Sequence, residues 1–190
     1  MVLGSSTIIE DVKNMRKYGL TSLAIFYYDF REDEKKDLQG LLLSTLFQLC
    51  YQSDSYCDIV ASFYSTHHDG AQSPGDDKLV GCLRDVLSLL GQPPIYLIVD
   101  ALDECPNTST LSSQRLEVLT LLEDLVDSQL PNLHICITSQ PEADIKPILE
   151  PFVGDPHCPC GMVWISHARS GPYIDIPLPF IDVLFVLSTD

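Results

Sequence analysis

Residues 95–105 read Ile-Tyr-Leu-Ile-Val-Asp-Ala-Leu-Asp-Glu-Cys. Five consecutive apolar residues, β-branched and aromatic members among them, describe a strand buried on both faces, the kind found inside a parallel sheet. The run stops abruptly at three carboxylates, Asp100, Asp103 and Glu104. In an open α/β sheet, ligands bind just outside the carboxyl ends of the strands, so these acids are predicted to face that crevice. Carboxylates of this kind suit Mg²⁺, which prefers hard oxygen ligands supplied by one or two side chains together with waters and phosphates.

Two other apolar runs share the character of the first. Residues 23–28 end at Asp29, and residues 133–137 close on Thr138, Ser139 and Gln140. Amphipathic stretches lie around them. Ile8, Ile9, Val12 and Met15 recur at helical spacing over residues 5–18, before Gly19. Positions 38, 42, 46 and 49 do the same over 38–50, and a weaker helix is predicted over 53–66. Leu79, Leu83, Val86, Leu87 and Leu90 form a stripe that stops at Gly91 and Pro93-Pro94, with Asp76 or Asp77 suited to cap its start. Val118, Leu119, Leu122, Leu125 and Val126 define a further helix after a polar loop at 106–113, and 144–149 reads as a short one. Strands alternating with helices imply βαβ crossovers and a parallel sheet. The prediction is an α/β domain over residues 1–152, followed by a different tail at 153–190. From Pro151 onward the chain holds six of its thirteen prolines and its single Trp. A strand is predicted at 162–166, and nothing is assigned beyond Pro177.

With 27 acidic and 11 basic residues the formal charge is −16, which argues against nucleic acid as a partner because its phosphates would be repelled. Seven cysteines, an odd number, are scattered through predicted helices and strands, and residues 1–17 lack a basic start followed by an apolar run. Free thiols in a reducing, cytoplasmic setting are therefore expected. The apolar stretch 174–187 is broken by Asp175, Pro177, Pro179 and Asp182 and falls short of the ~20 residues that a membrane helix needs, so no span is predicted. His157-Cys158-Pro159-Cys160 with His167 lacks the paired Cys-x-x-Cys spacing of structural zinc sites, and no Gly-x-Ser-x-Gly elbow supports a serine hydrolase.

Four blocks occur in a fixed order: Ser6-Thr7-Ile8-Ile9-Glu10-Asp11-Val12; Phe26-Tyr27-Tyr28-Asp29-Phe30-Arg31 with the helix at 41–49; residues 95–105; and residues 133–145. Together they resemble the NACHT domain, a branch of the STAND class of P-loop NTPases. The likeness is closest to fungal NACHT proteins and the related nephrocystin-like N-terminal modules, and covers about residues 1–152. The resemblance implies a three-layer P-loop NTPase-like fold in which residues 95–105 are the Walker B element. It also implies Mg²⁺ with ATP or ADP as ligand. Asp100 would contact the metal through a water, and Asp103 or Glu104 would orient or polarise the attacking water. Thr138, Ser139 and Gln140 would lie near the γ-phosphate. Gln140 stands where the family often has Arg and lacks the charge to stabilise a transferring phosphate.

The Gly-x-x-x-x-Gly-Lys-Ser/Thr loop that wraps the phosphates occurs nowhere in the 190 residues. In the family's register Met1 falls near the end of that loop, so the first strand and the loop are expected to lie upstream. Their absence predicts an unpaired edge on the strand at 133–137 unless the tail covers it. In the tail, His167, Ser170, Gly171, Asp175 and Ile176 match a family pattern only in part. Two functions are expected: a fragment of a nucleotide-dependent signalling switch, weak in nucleotide binding by itself, or a non-catalytic module that pairs with itself or a full-length NACHT protein.

Overall fold

The computed structural model describes residues 3–29, 31, 37–67, 74–107, 113–130, 132–140, 142–152 and 161–166. Helix α1 (Leu3–Lys17) leads into β1 (Ser22–Tyr27). Helices α2 (Leu38–Cys50), α3 (Asp54–His67) and α4 (Asp76–Leu87) separate β1 from β2 (Ile95–Asp100). A single 3₁₀ turn (Leu102–Glu104) and α5 (Gln114–Asp127) lead to β3 (Leu133–Ser139), and α6 (Lys146–Leu149) precedes β4 (Gly161–Ser166). All four strands are parallel and lie in chain order, β1-β2-β3-β4.

β1, β2 and β3 are largely apolar because both of their faces are covered. One face, carrying Ala24, Phe26, Leu97, Val99, Ile135 and Ile137, packs against the stripes of α2, α4 and α5. On the other face Ile9 and Val12 of α1 pack with Leu23, Ile98 and Cys136. This is the expected three-layer α/β arrangement. No helix among the described residues is long and apolar enough to cross a membrane.

Local chemistry explains where the elements begin and end. Helix α1 closes in a Schellman motif: Leu20 N–H reaches the Met15 carbonyl (3.1 Å), Gly19 N–H reaches that of Arg16 (2.9 Å), and Gly19 takes φ +68°. Asp37 caps α2 by accepting from Gly40 N–H (2.8 Å). The start of α4 differs from the sequence expectation. Gly75 is its N-cap, and Asp76 and Asp77 instead occupy the first turn, where their charge meets the positive end of the helix dipole.

The expected bare edge on β3 is not found, because Gly161–Ser166 pairs alongside it in parallel. At the opposite side β1 is an edge strand, and two glutamines four residues apart, Gln48 in the last turn of α2 and Gln52 just past its end, cover it at Leu23 and Ile25. The Gln52 amide accepts from Leu23 N–H (2.8 Å) and donates to the Leu23 carbonyl (2.7 Å). Gln48 does the same for Ile25 (3.0 and 2.8 Å). Every second residue of a strand faces one edge, so this i, i+4 pair matches the outward groups of residues 23 and 25.

Residues 32–36, 68–73 and 108–112 lie outside the described residues, as do 153–160 and 167–190 with the His157-Cys158-Pro159-Cys160 and His167 sequence. Replacing Gln48 or Gln52 with Leu leaves two backbone groups of β1 unpaired. Each variant is expected to lose about 1–3 kcal/mol in urea unfolding, and the double variant to self-associate in light scattering.

Candidate functional site

The carboxyl ends of β1, β2 and β3 form one rim, and the three predicted acids stand on it. Asp100 is the last residue of β2 and is half-buried. Ala101 then takes a left-handed conformation (φ 55°, ψ 46°), unusual for a residue with a Cβ, and this reverses the chain into the turn carrying Asp103 and Glu104. Thr138, fully buried on the neighbouring strand, joins the two. Its hydroxyl accepts from Ala101 N–H (3.0 Å) and donates to Asp100 Oδ1. One hydroxyl thus fixes both the strained residue and the carboxylate before it. Among the described residues no hydrogen bond reaches Asp100 Oδ2.

The sequence-predicted residues do not all sit alike. Asp103 turns its carboxylate to Gln140 N–H (2.9 Å), so the acidic turn is tied to the chain leaving β3. Glu104 is half-buried; its N–H donates to the Ala101 carbonyl (2.9 Å), and its carboxylate makes no hydrogen bond among the described residues. Ser139 is fully buried, whereas Gln140 is exposed. At the end of β1, Asp29 pairs with Arg31 (3.0 Å). The hollow lined by Asp58, Ile59, Ser62, Phe63, Thr66 and Asp85 between α3 and α4 shares no residue with this rim.

Sequence reasoning missed Arg115. Its side chain is nearly buried, with Nε donating to the Cys105 carbonyl (2.9 Å), Nη2 to the Asp103 carbonyl (2.7 Å) and Nη1 to both Asp144 oxygens (3.2 and 3.1 Å). Asn107 Nδ2 donates to the same carboxylate (2.8 Å). A signal was present: position 115 lies three and four residues before Val118 and Leu119, on the buried stripe of α5, where a charge needs partners.

Charge and burial act on the neighbouring acids as well. Burial first, and then the negative Asp100, raise the Tyr27 hydroxyl above its ordinary pKa. The same two causes push the Cys136 thiol from 9.0 up to about 12. Burial takes Cys105 to about 12 against the opposing charge of Arg115, and burial followed by Asp85 takes Cys82 to about 11.

The family described as "Nephrocystin 3, N-terminal" matches residues 3–140. The chain belongs to this family. No curated protein and no solved structure matches it. The span matched by the nephrocystin 3 N-terminal family runs from α1 through β3 and ends at Gln140, so it contains all six sequence-predicted site residues. The Asp144 end of the Arg115 contact lies just past it.

Thr138→Val removes a hydroxyl of nearly the same volume and strands both Ala101 N–H and an Asp100 oxygen. A loss of about 1–3 kcal/mol in urea unfolding is expected, with Thr138→Ser retaining most of the stability. Alkaline pH should act through the buried thiols. They ionise from about pH 9 in the unfolded chain but stay protonated when folded, so the unfolded state loses protons first. Their contribution to stability is complete below pH 9 and disappears as the pH climbs toward 12. The urea midpoint should therefore fall between pH 8 and pH 10, and less steeply in Cys136→Ala.

Proposed function

We propose that this chain carries the cation-binding part of a NACHT-type, nucleotide-dependent signalling switch working in the cytoplasm, with residues 1–152 as its nucleotide domain and Mg²⁺-ATP or Mg²⁺-ADP as the ligand. The observation behind this reading is the state of Asp100. One carboxylate oxygen is held by Thr138 and the other is uncommitted among the described residues, on a rim where α/β sheets bind ligands. A hard, oriented oxygen of this kind fits Mg²⁺ directly or through a water.

Asp103 and Glu104 divide the remaining work. Because Asp103 spends a carboxylate oxygen on Gln140 N–H, Glu104 is the better placed of the two to orient and polarise a water. Thr138 acts through Asp100, and Ser139 and Gln140 border the position of a γ-phosphate. Bound Mg²⁺ would neutralise phosphate charge. The described residues offer little else for the phosphates: Arg115 is committed to Asp103, Cys105 and Asp144, and Arg31 is paired with Asp29. Nucleotide affinity is therefore expected to be low and to depend on the cation, with slow hydrolysis at most.

Association through a bare sheet edge, the other function expected from the sequence, gains no support from β1 at Leu23 and Ile25, whose outward groups are taken by Gln52 and Gln48.

Calorimetric titration with ATP in the presence and absence of Mg²⁺ tests the reading. ATP binding should appear or strengthen with Mg²⁺ and weaken at least about tenfold in Asp100→Asn, which keeps a polar group for Thr138 but loses the charge. Equal binding by wild type and Asp100→Asn, or no binding by either, would reject it.

A further inference from the structure

We propose that Arg115 is a positioning residue that locks the acidic turn after β2 to the segment after β3, so that the two strand-end loops move as one body. Its planar guanidinium holds its donors in a fixed fork, and they are shared between the two loops. Nε and Nη2 hold the carbonyls of Cys105 and Asp103 (2.9 and 2.7 Å), and Nη1 holds the Asp144 carboxylate (3.1 Å). Arg115 itself belongs to neither loop: it stands in the first turn of α5, packed by the stripe that anchors this helix to the sheet. The acidic turn is therefore referenced to the core, and the segment after β3 is referenced to the turn.

Asp103 is gripped twice. Its carbonyl is held by Arg115 and its carboxylate receives Gln140 N–H (2.9 Å). Asn107 adds another tie to Asp144 (2.8 Å). The Glu104 carboxylate, on the next residue, is thereby aimed without a hydrogen bond of its own among the described residues. A simple buried ion pair would need only the Asp144 contact. The two carbonyl contacts to consecutive parts of one turn are what make the arrangement a clamp. It also works in reverse: a partner that draws Asp144 away from Arg115 loosens the turn that presents Glu104. The positioning role rests on the geometry alone, and its importance for a bound cation rests on the function proposed above.

The experiment is amide hydrogen exchange, residue by residue, on the full chain with Arg115→Lys, Asp144→Asn and both together. Lysine keeps the charge but cannot hold three partners in one plane. Each single variant should speed exchange of the Gln140 amide at least about tenfold, although its own partner Asp103 is untouched. The Leu97 and Ile98 amides in β2 should stay at the wild-type rate, and the double variant should go no further than Arg115→Lys. An equal acceleration at all three amides means that Arg115 supports only global stability, and an unchanged Gln140 amide means that no clamp exists. Either result overturns the proposal. Should Arg115→Lys fail to fold, Asp144→Asn carries the same test because it leaves the carbonyl contacts in place. A Mn²⁺ titration of the same samples separates the two ideas. Wild-type protein that takes up no Mn²⁺ removes the cation site, and the Gln140 amide still decides the clamp.

Discussion

Gln48 and Gln52 do for β1 what a neighbouring strand would otherwise do. A parallel sheet buried on both faces still exposes backbone donors and acceptors along its edges, and an apolar edge left open recruits other chains. Here two side-chain amides, one in the last turn of α2 and one just past it, each supply a donor and an acceptor to Leu23 and Ile25. Helix α2, which carries Gln48 and leads into Gln52, buries Leu41, Leu42, Leu46 and Leu49 in the main core. Closing the edge and packing the face are therefore one event, and neither the register of α2 nor that of β1 can slip without losing both.

The rim follows a similar logic, with the working groups held by their neighbours on adjacent strands. Asp100 is steadied by Thr138, Asp103 by Gln140 N–H, and the turn between Asp103 and Cys105 by Arg115. These contacts cross between β2 and β3, so the parallel pairing of those two strands is what brings the sequence-distant residues 100–105 and 138–144 within reach. An acidic rim on a strongly acidic chain repels phosphate unless a cation intervenes, which is why the proposed function begins with the cation.

Much of this was legible in the sequence because it rests on periodicity. The three doubly buried strands stand out as apolar runs, and α2, α4 and α5 as stripes at helical spacing. Asp100, Asp103 and Glu104 declare themselves by ending such a run. What stayed hidden depends on pairing in space. Gln48 and Gln52 look like ordinary polar positions until β1 is laid beside them. Arg115 was passed over because Val118 to Val126 already accounted for the helix, and Asp144 was read only as the start of a helix that in fact begins at Lys146. For β3 the sequence left two outcomes, a bare edge or one covered by the tail, and Gly161–Ser166 of the tail covers it.

The simple strand order has a consequence for how the chain is made. Because β1, β2, β3 and β4 lie side by side in the order in which they are synthesised, each new strand meets the previous one already in place as it leaves the ribosome. The β1 margin is sealed early, since α2 follows directly. The growing margin is always that of the newest strand, passing from β2 to β3 and finally to β4. A nascent chain of this design is therefore most adhesive at its leading side, and the interval between the emergence of β3 and of residues 161–166 is when it most needs a chaperone.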